Sequence, residues 1–108
     1  MKTSHPVLNP ERLREAAAQA VSALKVLANE DRLLLLCQLS QGELCVSEME
    51  EILGIRQPTL SQQLSVLRKE GTVTTRREGK NIYYRVADAA TLEILALLYR
   101  QYCPEGEK

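Results

Sequence analysis

The sequence predicts a mainly α-helical domain with one small β-hairpin, and three observations predict it. Apolar residues recur at helical spacing over the first 70 residues. A helix rich in amides and hydroxyls then follows a shorter helix and a turn. Finally, two stretches of β-branched and aromatic residues flank a glycine and carry bases where they meet. This order of elements is typical of a winged helix-turn-helix.

A chain of 108 residues has room for one domain, and a domain this small leaves apolar surface that a second subunit can cover. We assign residues 1–9 to a disordered tail, 10–104 to the domain and 105–108 to a second tail. The sequence has no apolar run of about 18 residues and no secretory signal. We therefore expect a cytoplasmic protein that makes no contact with a membrane.

The first two predicted helices follow each other closely. Pro10 suits a first helical position, and the helix is expected to extend to about Leu27. Its alanine-rich side permits close packing against another helix. Asn29 or Asp31 can cap a second helix that ends near Leu39 and is almost entirely apolar, so we expect it to be buried.

The third and fourth helices form the predicted helix-turn-helix. Ser47 and Glu50 have the spacing of a capping box, which predicts a short third helix ending near Gly54. The fourth helix is expected between Pro58 and Gly71. Its leucines form one apolar stripe, and its other sides carry amides, hydroxyls and bases. The stripe consists of Leu60, Leu64 and Leu67.

The hairpin and the last helix complete the domain. Residues 73–77 and 82–86 are predicted strands on either side of a turn at Gly79. Asp88 can cap a last helix that ends before Pro104. That helix is apolar on almost every side, so it needs cover on more than one face. We expect a homodimer held by the first and last helices, with four residues of the last helix at the interface: Leu92, Leu95, Ala96 and Tyr99.

The net charge is zero, but the charges are not evenly distributed. Between Arg56 and Arg85 there are seven bases and two acids, a cluster that by itself fits a nucleic-acid partner and an ordinary solvated face equally well. Amides and hydroxyls suit base edges in double-stranded DNA, and bases suit phosphates. The candidate base-reading residues are Gln57, Thr59, Ser61, Gln62 and Ser65. The candidate phosphate-binding residues are Arg76, Arg77 and Lys80.

The chain has three cysteines and one histidine. There is no Cys-x-x-Cys motif, and His5 lies in the predicted tail, so we expect neither a metal site nor a cofactor. An enzymatic cysteine would also lack a neighbouring base, and we expect no catalytic activity. Taken alone, Cys37 in its leucine-rich helix could be a small buried hydrophobic residue, whereas Cys103 has no evident packing role.

Three segments resemble the ArsR/SmtB family of winged-helix repressors: 24–33 (LKVLANEDRL), 57–68 (QPTLSQQLSVLR) and 76–85 (RREGKNIYYR). Within that family the chain is most similar to the biofilm-growth-associated repressor branch, which senses persulfides or oxidants through two cysteines. Those two positions match Cys37 and Cys103. The resemblance implies a dimer that represses its operon until the two sulfurs are linked by a disulfide or polysulfide.

Departures from the family separate this chain from the metal-sensing branches. Arsenic sensors carry a Cys-x-Cys pair where this sequence has Cys45 and Ser47, and zinc sensors need an Asp-x-His and a further His/Glu pair on a last helix that here has only Glu93. One alternative stays open, an arsenite or soft-metal site that uses Cys37, Cys45 and Cys103. The sequence also leaves open whether Cys37 and Cys103 meet within one subunit.

Overall fold

A computed structural model describes residues 8–103, so residues 1–7 and 104–108, which include most of the predicted tails, lie outside the described residues. Within residues 8–103 the chain forms five helices and three strands, which confirms the predicted winged helix-turn-helix and adds one strand to the predicted hairpin. The elements are α1 (Pro10–Leu27), α2 (Glu30–Leu39), β1 (Leu44–Cys45), α3 (Val46–Leu53), α4 (Thr59–Lys69), β2 (Val73–Glu78), β3 (Asn81–Val86) and α5 (Ala89–Tyr102).

Asparagine side chains begin the first two helices. The Asn9 side-chain oxygen accepts hydrogen bonds from the backbone N–H groups of Glu11 and Arg12, at 3.0 and 3.2 Å, and Pro10 follows as the first helical residue. The Asn29 side chain accepts from the backbone N–H of Arg32 at 3.0 Å. Asn29 is therefore the cap of α2, because it satisfies an N–H that the helix itself cannot.

Helix α3 begins two residues earlier than its predicted capping box. The Glu48 carboxylate accepts from the backbone N–H of Cys45 at 2.9 Å, so the Cys45 to Glu48 pair marks the start of the helix instead of the Ser47 to Glu50 pair. Cys45 also belongs to β1, a strand that the sequence pattern did not predict. A two-residue strand is too short to show the alternation on which strand prediction depends.

The wing is a three-stranded antiparallel sheet with the strand order β1-β3-β2. Cys45 lies opposite Tyr83 across β1 and β3, and Arg76 lies opposite Tyr83 across β2 and β3. Gly79 takes a positive φ of 64° at the turn between the two long strands, a conformation that glycine adopts without steric cost. Strand β1 thus joins the hairpin to the start of α3.

The core lies among α2, α3 and α4. Its fully buried side chains are Leu35, Leu36, Met49, Leu60 and Leu67. The predicted leucine stripe of α4 is part of this core, which confirms its orientation. Leu95 of α5 also belongs to it and is only 2% exposed. Our placement of Leu95 at the dimer interface was therefore wrong, because a side chain already enclosed by its own subunit has almost no surface to offer a partner.

Helices α1 and α5 leave apolar side chains uncovered. Only Leu27 is buried along α1, whereas Leu13 and Leu24 on the same side are 47% and 53% exposed. On α5, Leu92 and Tyr99 are exposed as well. Apolar surface of this extent is typical of an interface with another protein. The described helices include none with the length and apolar character needed to cross a membrane.

Candidate thiol pair and nucleic-acid interface

Cys37 and Cys103 line the same cavity. This cavity of about 800 Å³ lies between α2 and α5, with Cys37 on α2 and Cys103 immediately after the last residue of α5. Apolar side chains such as Leu34 and Leu53 line part of it, and Arg100 is the one Lys, Arg, Asp or Glu residue in its described lining. The two thiols therefore face a common space within one subunit.

The two thiols differ in accessibility. Cys103 is exposed, and Cys37 is half-buried. Burial raises the pKa of the Cys37 thiol, and the nearby charge of Cys103 raises that pKa further. The raised pKa favours the protonated form of the Cys37 thiol at neutral pH. Because the thiolate is the nucleophile, Cys37 reacts slowly there. Cys103 is the thiol that an incoming reagent meets first.

We therefore expect iodoacetamide at neutral pH to label Cys103 before Cys37 and to label buried Cys45 last. The labelling rate of Cys37 should keep rising above about pH 8.5, the ordinary pKa of a thiol, because a raised pKa delays thiolate formation to higher pH. In Cys103→Ser this rise should move to lower pH, since one of the two causes of the shift is gone. Timed peptide mapping by mass spectrometry measures all three rates. Equal labelling of Cys37 and Cys103 at neutral pH would contradict this order.

Cys45 lies apart from the thiol pair. It is 5% exposed, its Sγ is 3.4 Å from the Ser47 hydroxyl, and it is not among the lining of the cavity. Across residues 8–103, no group of three or more His, Cys, Asp or Glu side chains is arranged to hold a metal ion. Within the described residues of one subunit, the Cys45 sulfur therefore does not share a site with the Cys37 and Cys103 sulfurs.

Four of the five candidate base-reading residues are exposed, three of them on helix α4. Ser61, Gln62 and Ser65 are exposed on its surface, Gln57 is exposed just before it, and Thr59 is half-buried. The Gln57 side chain accepts a hydrogen bond from the backbone N–H of Ser61 at 3.1 Å. Gln57 thus helps to begin the helix, while Gln62 keeps both its amide donor and its acceptor available.

Among the three candidate phosphate-binding residues of the wing, Arg76 differs from Arg77 and Lys80 because it is paired with carboxylates. Arg76 donates from Nε to Glu43 at 2.8 Å and from a terminal nitrogen to Glu78 at 2.7 Å, and its guanidinium lies 4.8 Å from the ring centre of Tyr83. The hydrogen bonds to Glu78 and Glu43 raise the pKa of Arg76. Its charge is therefore already compensated. Arg76 was predicted to bind phosphate, but in the structure its guanidinium is bonded to two carboxylates of its own chain.

Arg77 and Lys80 lie exposed at the tip of the wing. Among the described residues neither has a carboxylate within salt-bridge distance, and Arg77 makes only a 3.4 Å contact to the carbonyl oxygen of Gly79. The spacing of Arg76 and Glu78 on one side of a strand is a signal from which their pairing could have been predicted. Glu43 is distant in sequence and gave no such signal.

Arg32 was not among the residues predicted from the sequence, yet it joins three helices. Its Nε donates to the carbonyl oxygen of Val26, and one terminal nitrogen donates to the carbonyl oxygen of Lys25 at 3.1 Å. The other terminal nitrogen donates to the side-chain oxygen of Gln63 on α4 at 2.8 Å. Arg32 thus contacts the end of α1 and the flank of α4 from its place near the start of α2.

Comparisons with known proteins give a consistent picture. The family model of bacterial regulatory proteins of the arsR family matches residues 29–75. The biofilm growth-associated repressor of Agrobacterium fabrum is 47% identical over 95 residues, which cover 88% of this chain and 81% of that protein. The crystal structure of the transcriptional repressor BigR from Xylella fastidiosa superposes with a TM-score of 0.83 at 41% identity, covering 93% of this chain and 99% of that one. Reduced HlyU from Vibrio cholerae gives a TM-score of 0.83 at 38% identity, over 87% of this chain and 99% of that one.

Proposed function

The chain belongs to the ArsR family of bacterial regulatory proteins, and we propose that it is a homodimeric DNA-binding repressor that leaves its operator when Cys37 and Cys103 become linked. The observation that carries this proposal is the shared cavity of the two cysteines between α2 and α5. The relatives named as biofilm growth-associated repressors support the regulatory half of the proposal.

The DNA-binding surface in this proposal consists of α4 and the wing tip. Gln62 can pair through its amide with the edge of an adenine in the major groove, and Ser61 and Ser65 can donate or accept beside it. Arg77 and Lys80 then reach phosphates or the minor groove from the wing. Two subunits related by a twofold axis present this surface twice, so the operator is expected to be twofold-symmetric.

The proposed inducer is an organic persulfide, R–S–SH, or an oxidant. The Cys103 thiolate attacks the terminal sulfur of the persulfide, the S–S bond breaks, and the thiolate R–S⁻ leaves. Cys103 then carries the persulfide group –S–SH. Cys37, once deprotonated, attacks the Cys103 sulfur and expels HS⁻, which leaves a disulfide between the two residues. The persulfide is the oxidant in this sequence, and the two protein thiols are oxidised by two electrons.

The nature of the inducer can be determined by intact mass spectrometry of the reduced protein after treatment with an organic persulfide, diamide or arsenite. Loss of two hydrogens, mapped to the Cys37 and Cys103 peptides, or sulfur atoms added between them, supports the proposal. A bound arsenic in place of either change would assign the chain to the metalloid sensors and overturn it. Cys45→Ser is the matched control, because its thiol lies outside the cavity.

We expect Arg77→Ala to weaken binding to all DNA sequences and to flatten the dependence of affinity on salt. Each lost phosphate contact removes about 0.9 from the slope of log affinity against log salt concentration. Arg76→Ala is the matched control and should change the slope less, because Glu43 and Glu78 already compensate its charge. Fluorescence anisotropy over a range of salt concentrations measures both slopes. An Arg76→Ala slope change as large as that of Arg77→Ala would contradict this division of the wing.

A further inference from the structure

The carbonyl groups at the end of helix α1 all have hydrogen-bond donors, which is unusual for an α-helix. The last four carbonyl groups of any α-helix have no partner within the helix. Here the Leu24 carbonyl accepts from the N–H of Ala28, and the Leu27 carbonyl accepts from the N–H of Asn29, both at 2.8 Å. The two carbonyls between them accept from the guanidinium of Arg32. All four groups are therefore satisfied, half of them by one side chain.

Arg32 also brings a positive charge to this helix end. The carboxyl end of a helix carries partial negative charge, so a cation there is favourable. Arginine can do this and still donate elsewhere, because its guanidinium holds its donors in a fixed fork. The remaining arm of the fork donates to Gln63, 31 residues further along the chain.

Helix α1 is held to the rest of its subunit chiefly near its last turns, where Val26 packs against the core and Ala23 lines a cleft with Thr72. Leu27 is its only buried residue, and just two residues, Ala28 and Asn29, separate α1 from α2. The direction in which α1 leaves the domain therefore depends strongly on the contacts at its last turn. Those contacts include Arg32, and Arg32 is also bonded to α4.

We propose that Arg32 is a positioning residue that fixes α4 relative to α1 and thereby sets the distance between the two recognition helices of the DNA-bound dimer. This inference rests on the proposed function, in which α1 contributes to the dimer interface and α4 enters the major groove. A dimer of this kind recognises two half-sites at a spacing that its own geometry sets. Arg32 determines that geometry without contacting DNA.

The same residue connects the thiol pair with α4. Cys37 lies on α2, five residues after Arg32. A link between Cys37 and Cys103 pulls on α2 as well as on α5, and any movement of α2 reaches α1 and Gln63 through the bonds of Arg32. The switch thus acts on the angle between α1 and α4, which is the quantity that sets half-site spacing.

The test uses the reduced full-length protein and a duplex that the wild-type protein selects from a random library. The two half-sites of that duplex are then moved apart or together by one base pair. In Gln63→Leu we expect affinity for the selected spacing to fall about tenfold, because a hydrogen bond to a charged group is lost. Affinity for the altered spacings should fall less, so that discrimination between spacings decreases. A contribution to folding alone would lower affinity for every duplex by one factor and leave that discrimination unchanged.

Gln63→Glu is the matched variant, because a carboxylate accepts from the Arg32 guanidinium more strongly than an amide does. It should keep or sharpen the preference for the selected spacing. Arg32→Lys keeps the charge at the end of α1 but cannot bond three acceptors in the same fork, so it should lose discrimination as Gln63→Leu does. Thermal unfolding of each variant establishes that it is folded.

Wild-type discrimination in Gln63→Leu, or lost discrimination in Gln63→Glu, would overturn the positioning role. Failure of the wild-type protein to select a duplex with two half-sites is a different result. It would overturn the proposed function itself and the inference with it.

Discussion

Cys37→Ser and Cys103→Ser should each bind the operator normally when reduced and fail to leave it after treatment with a persulfide or diamide. Neither variant can form the link across the cavity, because one of its two sulfurs is missing. To change operator occupancy from almost complete to almost none, the linked and reduced states must differ in DNA-binding free energy by about 5 kcal/mol. In the wild-type protein, the linked state should therefore bind the operator roughly ten-thousandfold more weakly than the reduced state, and each variant should lose this difference.

Cys45→Ser is the control for this experiment, since its side chain is enclosed at the junction of β1 and α3 and does not line the cavity. It should release the operator as the wild-type protein does. Anisotropy titrations of the three variants, before and after treatment, measure the effect. Release that persists in Cys103→Ser but disappears in Cys45→Ser would transfer the sensing role to the start of α3.

Leu24→Glu should convert the dimer into monomers and abolish tight operator binding. Leu24 is 53% exposed on the apolar side of α1, where the proposed partner subunit covers it. An uncompensated charge in a buried interface costs about 3–5 kcal/mol, which raises the dimer dissociation constant by a hundredfold to a few thousandfold, roughly. Because each monomer contacts one half-site only, DNA affinity should fall with dimer stability.

Gln19→Glu adds the same side chain to a different, polar and exposed side of α1 and is the matched control. Sedimentation velocity at micromolar concentration should find Gln19→Glu dimeric and Leu24→Glu monomeric. A wild-type protein that is monomeric and binds its operator fully would exclude the dimer.

The sequence predicted those features that depend on neighbouring residues. The cap of α2 at Asn29, one of its two predicted positions, the leucine stripe of α4 and the turn at Gly79 each follow from short-range patterns, and the structure confirms them. Leu95 was misplaced because an apolar helix does not indicate which of its faces meets its own core. Contacts between distant parts of the chain, such as that between Arg76 and Glu43, left no local pattern.

The candidate sites also divide into residues that the sequence identified and residues that only their contacts identify. A resemblance to a family of two-cysteine sensors singled out Cys37 and Cys103, and the structure places both on one cavity of one subunit. Arg32 was missed because its importance lies in what it bonds, which is the end of the preceding helix and a residue 31 positions away. Nothing in the identity of an arginine near the start of a helix indicates those partners.

Cys45 belongs both to strand β1 and to the start of α3, so the wing is continuous with the helix that precedes α4. This has a consequence for how such a protein can diverge. Substitutions at exposed positions of α4 can change which bases are preferred without disturbing the sheet, because those positions lie outside the core. Insertions at the tip of the hairpin can lengthen the hairpin while its pairing with β1 stays unchanged. The exposed surface of α4 can therefore change while the scaffold that carries the wing stays the same.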